Sequence, residues 1–300
     1  MAGYSDLPYR LIAREMGSAV SFTEFSPAVT VTHKPVQEQK RIVFHESERP
    51  VIVQLFGNEP AQFVRAALYL AETDFRPEGI DINMGCSVQR VSSRGSGAGL
   101  LKNIPLAARI ASELVKLNLF AISAKIRLGW DDASKNYLEV ATALESEGVR
   151  TVSVHARTKS QGYKGSADWD AIGEVAQKVK IPVFGNGDLQ SHEDAQTRIR
   201  QHRLRGALIG RAAMGNPWIF LGKNKSDMAL SERLPTIRRH LSLMADFYGS
   251  AMAARLFRKH LTAYLSDLDI SPQLRSKLFS AVTAEGLRSC LAEDCFSDYE

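Results

Sequence analysis

Gly79 to Asn83 form a short alternating run, followed by a lone thiol, Cys86, and by Gly95, Gly97 and Gly99. Alternation at period two marks a strand, and the glycines let the backbone behind it bend or close over a ligand. A thiol at a strand end can donate a proton or act as nucleophile, although a lone cysteine is also a common inert core residue. Asn83 adds a polar group at the carboxyl end of the same strand, where parallel α/β folds carry their sites. Gln54, Lys125, Arg127, His155 and Arg157 end other apolar runs. Each alone reads equally as a satisfied core group or a surface charge. On several strands opening to one face, they describe a polar-rimmed pocket. Two late loops, Phe184-Gly185-Asn186-Gly187-Asp188 and Ile209-Gly210-Arg211-Ala212-Ala213-Met214, offer backbone N–H groups to an anion, and Arg211 adds a forked charge. Asn186-Gly187 alone would be an ordinary tight turn. The pocket's histidines and carboxylates show no His-x-His or paired-acid spacing, so no metal is expected.

The elements that must position these residues alternate along the chain. Seven apolar or β-branched runs read as strands: Val20 to Phe25, Val51 to Phe56, Gly79 to Asn83, Phe120 to Arg127, Thr151 to His155, Ile181 to Phe184 and Ala207 to Ile209. Amphipathic stretches between them read as helices at Pro60 to Glu72, Ile104 to Leu117, Tyr137 to Glu147, Trp169 to Val179 and His192 to Gln201. A further helix, Asp6 to Met16, has Asp6 as cap and Pro8 in its first turn. This is a (βα) repeat. A (βα)8 TIM barrel needs eight strands, so the chain reads as a barrel lacking its first. A doubly wound open sheet is the alternative, but no Gly-x-Gly-x-x-Gly turn follows the first strand, and the anion loops fall late, as in barrels.

The 300 residues, 44% hydrophobic, suit one large α/β barrel with a small appendage. The sequence has no apolar run of membrane-spanning length and no amino-terminal basic-then-apolar leader, which points to a soluble protein away from membranes. Cys86, Cys290 and Cys295 are too few and too oddly spaced for a disulfide framework or zinc site, and suit a reducing cytoplasm. A net charge of +5 is a mild bias toward polyanions. Residues 1–222 read as the barrel domain, 223–235 as a polar linker, and 236–300 as a small helical domain. From Ser231 to Ser289 nine Lys or Arg stand against five acids, with Arg255, Arg258, Lys259 and His260 on one helix, and the last eight residues add four acids. Such a cluster is often only a solvated helix face.

The sequence resembles the flavin-dependent tRNA-dihydrouridine synthases, from Met1 to about Phe220 and again in the carboxyl-terminal helices. The resemblance rests on Ala2-Gly3-Tyr4-Ser5-Asp6, Gln54-Leu55-Phe56-Gly57, Asp81-Ile82-Asn83-Met84-Gly85-Cys86, Lys125-Ile126-Arg127-Leu128-Gly129-Trp130, His155-Ala156-Arg157-Thr158, Asn186-Gly187-Asp188 and Gly210-Arg211, in that order. It implies FMN across the barrel mouth, its phosphate on Asn186, Gly187, Asp188, Gly210 and Arg211, and its ring against Gln54, Lys125, His155 and backbone near Met1 and Ala2. It implies NADPH or NADH as electron donor, hydride transfer from flavin N5 to uracil C6, and protonation of C5 by Cys86. Asn83, Arg127 and Arg157 would orient the base. Arg255, Arg258 and Lys259 would contact tRNA from a helical RNA-binding domain, in a monomeric protein.

Ser87 stands where the family usually has proline, and the chain starts at the methionine of the family's Ala-Pro-Met-Ala-Gly. An upstream extension of about 5–15 apolar residues would supply the absent strand, and its restoration is expected to raise stability and flavin retention. Two other readings stay open: a flavin-dependent dehydrogenase of free pyrimidines, against which the basic appendage argues, and a degenerate, flavin-free RNA-binding protein.

Overall fold

The computed structural model describes residues 1–33, 35–292 and 295–296, with side chains for all of these except 35–38. The chain divides into two units. One holds Met1–Ala2 and Val20–Gly210; the other holds Gly3–Ala19, with helix α1 (Leu7–Glu15), and the described residues from Arg211 onward.

The first unit is a parallel sheet wrapped by helices. Its chain order is β1 (Ser21–Phe22), β2 (Ser26–Pro27), α2 (Ala28–His33), α3 (Pro35–Ile42), β3 (Val51–Phe56), α4 (Pro60–Ala71), β4 (Gly79–Met84), α5 (Gln89–Ser92), α6 (Ile104–Lys116), β5 (Ala121–Arg127), α7 (Tyr137–Ser146), β6 (Thr151–His155), α8 (Trp169–Lys178), β7 (Val183–Asn186), α9 (His192–Gln201) and β8 (Gly206–Leu208). The strands pair in the order β1-β3-β4-β5-β6-β7-β8, with β2 also on β3. The short β1 and β2 share one strand position, and no pairing joins β8 to β1 among the described residues. This is a (βα)8 pattern open at one strand, followed in the chain by a helical bundle.

Strand alternation sorts the side chains onto two faces. Ile80, Ile82 and Met84, Ile122, Ala124 and Ile126, and Val152 and Val154 face the helices and form the apolar core with Phe63, Leu70, Ile110 and Leu144. The opposite parity carries Asp81 and Asn83, then Ser123, Lys125 and Arg127, then Ser153 and His155. Register brings Asn83 beside Lys125, Arg127 beside His155, and His155 beside Asn186. Of the run read as one strand, Val20 to Phe25, only Ser21–Phe22 is strand, and a second short piece, β2, follows beyond it at Ser26–Pro27. Where the ladder would continue, Gln54 N–H donates to the Thr23 hydroxyl (3.1 Å) instead of a backbone carbonyl.

The second unit is all helical. Asp6 caps α1 by accepting from Tyr9 N–H (3.1 Å). After three 3₁₀ turns, starting at Arg211, Pro217 and Lys225, come α10 (Leu230–Tyr248), α11 (Ser250–Tyr264), α12 (Pro272–Ser280) and α13 (Ala284–Cys290). Residues 230–235, read from the sequence as linker, are helical. Leu230, Leu234, Ile237, Leu241 and Met244 make a buried stripe at helical spacing, and that packing carries the helix through Pro235. Gly215, at φ +66°, allows a close crossing: a Cβ there would stand 2.2 Å from the Ala263 carbonyl carbon.

Candidate active site

The polar parity of the sheet forms a connected hydrogen-bond chain. Asn83 Nδ2 donates to Gln54 Oε1 (2.9 Å), Gln54 Nε2 to Asp81 Oδ2 (2.7 Å), and Ser123 Oγ to Asp81 Oδ1 (2.7 Å). Beside it, Lys125 Nζ donates to Asn186 Oδ1 (3.1 Å), and Asn186 Nδ2 donates to the Leu208 carbonyl (2.7 Å). Gln54, Asn83, Lys125 and Asn186 are thus brought together, and Asp81 is the group the sequence reading left without a role. It sits two residues before Asn83, at the parity that marks the polar face.

Both charges in this network are displaced. Burial pushes the fully buried Asp81 carboxyl up to about 6, against the opposing pull of the Ser123 and Gln54 donors and of Lys125. Burial, with Arg127 nearby, lowers the Lys125 ammonium to about 8, while Asp81 acts in the other direction. A cation poised this way gains from an anionic group beside it.

Cys86 lies just past β4, half-buried and free of disulfide. Asn83 Oδ1 accepts from both Gly85 N–H (3.1 Å) and Cys86 N–H (2.9 Å), so one side chain ties the thiol's loop to the Gln54–Asp81 chain. Gly97, at φ +57°, passes so close that a Cβ there would stand 3.0 Å from the Cys86 Cβ. Burial raises the thiol's pKa above its ordinary value, outweighing a backbone hydrogen bond and the pull of Arg127.

The two arginines behave differently from Lys125. Arg127 donates through Nε to the Gly85 carbonyl (2.8 Å) and through Nη1 to those of Thr158 (2.9 Å) and Gly162 (3.0 Å). It therefore braces the residue before Cys86 against the loop after β6. Arg157 donates to the carbonyls of Lys164 (3.1 Å) and Gly165 (2.6 Å) and pairs with Asp188. Asp188, at φ +51°, also accepts from Ala167 N–H (2.9 Å). His155 is buried, with the exposed Tyr163 ring 6.1 Å away. Gly187, at φ +136°, lies against it: a Cβ there would stand 3.5 Å from His155 Cδ2 and 2.7 Å from Ala167 Cβ. Gly210 has only the Met1 sulfur within 4 Å of where its Cβ would stand, which leaves its backbone open to approach. Ala2 is exposed.

Arg211 opens the first 3₁₀ turn of the helical unit. Arg255, Arg258 and Lys259 lie on α11: Arg255 is exposed, while His260 turns into the core. A recess of about 600 Å³ between Leu101–Lys102 and Trp130–Asn136 is lined by none of the residues singled out above. Sequence spacing also missed a buried group in the helical unit, Asp6, His240 and His260, which come from three separate segments. Among the described residues no helix is long and apolar enough to cross a membrane.

A family model described as Dihydrouridine synthase (Dus) matches residues 1–299. The chain belongs to the dihydrouridine synthase family. The tRNA-dihydrouridine synthase B of Pseudomonas putida is 35% identical over 287 residues, covering 92% of this chain and 84% of its own. That of Pseudomonas aeruginosa is 33% identical over 285 residues, covering 92% and 85%. That of Xanthomonas axonopodis pv. citri is 33% identical over 309 residues, covering 99% and 91%. The chain is accordingly an enzyme, an FMN-dependent oxidoreductase of a family whose chemistry acts on tRNA.

Proposed function

We propose that the chain reduces uridine in tRNA to 5,6-dihydrouridine, with NADPH or NADH as electron donor and Cys86 as the proton donor to C5. The observation that carries this reading is the placement of Cys86: a thiol kept protonated by burial, its loop held by Asn83, at the end of the strand that also carries Asp81. A proton donor must hold its proton at neutral pH and part with it as charge builds on the acceptor; burial serves the first need, and the nearby Arg127 charge, which favours the thiolate, serves the second.

The residues present fit FMN. Lys125 is an ammonium that burial lowers to about 8, beside a network of amides, as a site for an anionic ring edge requires. Gln54, Lys125 and His155 would hold the ring with backbone at Met1 and Ala2. Asn186, Gly187, Gly210 and Arg211 would hold the phosphate, with Asp188 keeping the loop in shape through Arg157 and Ala167. When bound and reduced, FMN would supply a hydride, two electrons with their hydrogen, to uracil C6. Cys86 delivers the proton from Sγ to C5, and Asn83 holds the loop that carries it. Arg127 donates to the Gly85 carbonyl, so the thiol's loop is held by three hydrogen bonds from two side chains, Asn83 and Arg127, on adjacent strands. Reaching a barrel mouth requires the uridine to leave its stack at a cost of a few kcal/mol, which contacts to the rest of the tRNA offset. Arg255, Arg258 and Lys259 are assigned that part, with Arg255 foremost because the other two already hold backbone carbonyls.

Purified protein is expected to be yellow, to bleach under NADPH, and to convert uridine in unmodified tRNA to a product heavier by two hydrogens. A preparation that neither contains nor takes up FMN overturns the reading. One that binds FMN but reduces only free pyrimidine overturns the tRNA assignment alone.

A further inference from the structure

The interior of the helical unit holds a polar cluster that the reaction does not use. Asp6 caps α1, His240 lies on α10 and His260 on α11, with exposures of 6%, 0% and 1%. One ligand atom from each lies within 4.8 Å of the others, and the two imidazole rings meet edge to face with centroids 4.6 Å apart. Nε2 of both histidines is buried without a hydrogen-bond partner. Two orphaned ring nitrogens in one core are a cost that a native fold seldom carries without a compensating group.

We propose that Asp6, His240 and His260 bind one divalent transition-metal ion, with zinc the metal their chemistry suits best. Two imidazoles and one carboxylate are a ligand set for zinc or iron(II), whereas magnesium and calcium favour oxygen. The outer contacts are those that orient ligands. His240 Nδ1 meets the Tyr264 hydroxyl at 3.1 Å, and donation from Nδ1–H leaves the Nε2 lone pair for the metal. Asp6 Oδ2 accepts from the Tyr248 hydroxyl (3.0 Å), and Oδ1 from Tyr9 N–H. Burial keeps both rings neutral, as coordination needs. Lys259 is the neighbouring cation, held by the Gly3 carbonyl and the Tyr4 ring, and Asp6 is the anion of the set. Metal–ligand bonds of about 2.0–2.2 Å require the donors to draw in to about 3.5 Å of one another. The ion would join the amino-terminal segment, α10 and α11 of this unit.

The test uses the full chain, stripped with a chelator and titrated with Co²⁺ as a coloured probe and Zn²⁺ as competitor. One equivalent per chain is expected, displaced by Zn²⁺, with a rise in Tm of about 5 °C or more at a hundredfold excess over Kd. His260→Gln should abolish binding, and His33→Gln, at an exposed position ending α2, should leave it unchanged. Should His260→Gln fail to fold, Asp6→Asn decides. Asparagine caps a helix as well as aspartate but lacks the anionic ligand, so binding should weaken tenfold or more while the fold persists. No saturable uptake by the unaltered chain, or uptake indifferent to Asp6→Asn and His260→Gln, overturns the proposal and leaves the cluster a hydrated core.

Discussion

The barrel unit and the helical unit both bury polar side chains, and they treat them differently. Along the sheet, Asn83, Gln54, Asp81 and Ser123 form a continuous chain of hydrogen bonds, and the two charges within reach, Asp81 and Lys125, have pKa values displaced toward neutrality. In the helical bundle the buried polar groups include neutral rings with unpartnered nitrogens, and the basic residues assigned to RNA lie on one helix, Arg255 exposed and Arg258 and Lys259 half-buried. Buried, displaced charge favours chemistry, because small changes in the occupant shift protonation. Exposed charge gives graded, salt-screened attraction. Single substitutions should therefore act strongly in the sheet and weakly on α11.

The largest effect belongs to Cys86. Cys86→Ala should retain flavin yet lose about 10²- to 10⁴-fold in dihydrouridine formation, the usual range for removing one positioned proton donor. Turnover on tRNA that is unchanged in this variant removes the thiol from the reaction. Asp81 comes next, through pH. Its carboxyl holds its proton more tightly in the folded state, about 6 against 3.8, so its contribution to stability is present at low pH and is lost as pH rises through 6. The difference is on the order of 3 kcal/mol. Urea unfolding of FMN-free protein should show stability falling across that window, and Asp81→Asn should flatten the fall. An identical slope in the two proteins would mean that Asp81 titrates normally.

Lys125 tests the same idea with the opposite sign. Its folded pKa, about 8, lies below the ordinary 10.5, so the unfolded chain binds more protons between those values and stability should rise with pH across them. Lys125→Met should remove that rise and stabilise the FMN-free protein at neutral pH. It should also weaken FMN binding about 10- to 100-fold, the worth of a charge-assisted hydrogen bond. Unchanged FMN affinity would separate the ammonium from the cofactor.

The same contrast governs what could be read from sequence. The helices from Pro60 to Gln201 and the strand order follow periodicity, because alternation and helical stripes are local properties. Register then places Gln54, Asn83, Lys125, His155 and Asn186 at one end of one face with no further information. The break at Thr23 was not legible, since a side-chain hydroxyl replaces a ladder carbonyl there. Nor were the partners of Arg127 and Arg157, which depend on how residues 158–165 fold back onto the sheet. Residues 230–235 looked like linker because Pro235 and polar neighbours hid a stripe that shows only over four helical turns. The grouping of Asp6 with His240 and His260 has no local signature at all, since helix packing alone assembles it.

The smallest effect is expected on α11, and the structure ranks its residues. Arg258 Nη2 reaches the Ala281 carbonyl (3.4 Å) with Nε buried, and Lys259 is held by the Gly3 carbonyl and the Tyr4 ring. Arg255 Nη2 meets the Met252 sulfur at 3.0 Å, and the residue is exposed. A phosphate contact from Arg255 costs least to form, because no buried partner must be given up. Arg255→Ala should lower the slope of log affinity for tRNA against log salt by about 0.7 to 0.9, the share of one phosphate. Changing Arg255, Arg258 and Lys259 together should add little beyond that, with flavin content constant. A drop near three contacts would show that the held pair releases its carbonyls to reach RNA. No drop would mean that α11 is a structural helix, and that the energy for unstacking the uridine comes from elsewhere on the protein.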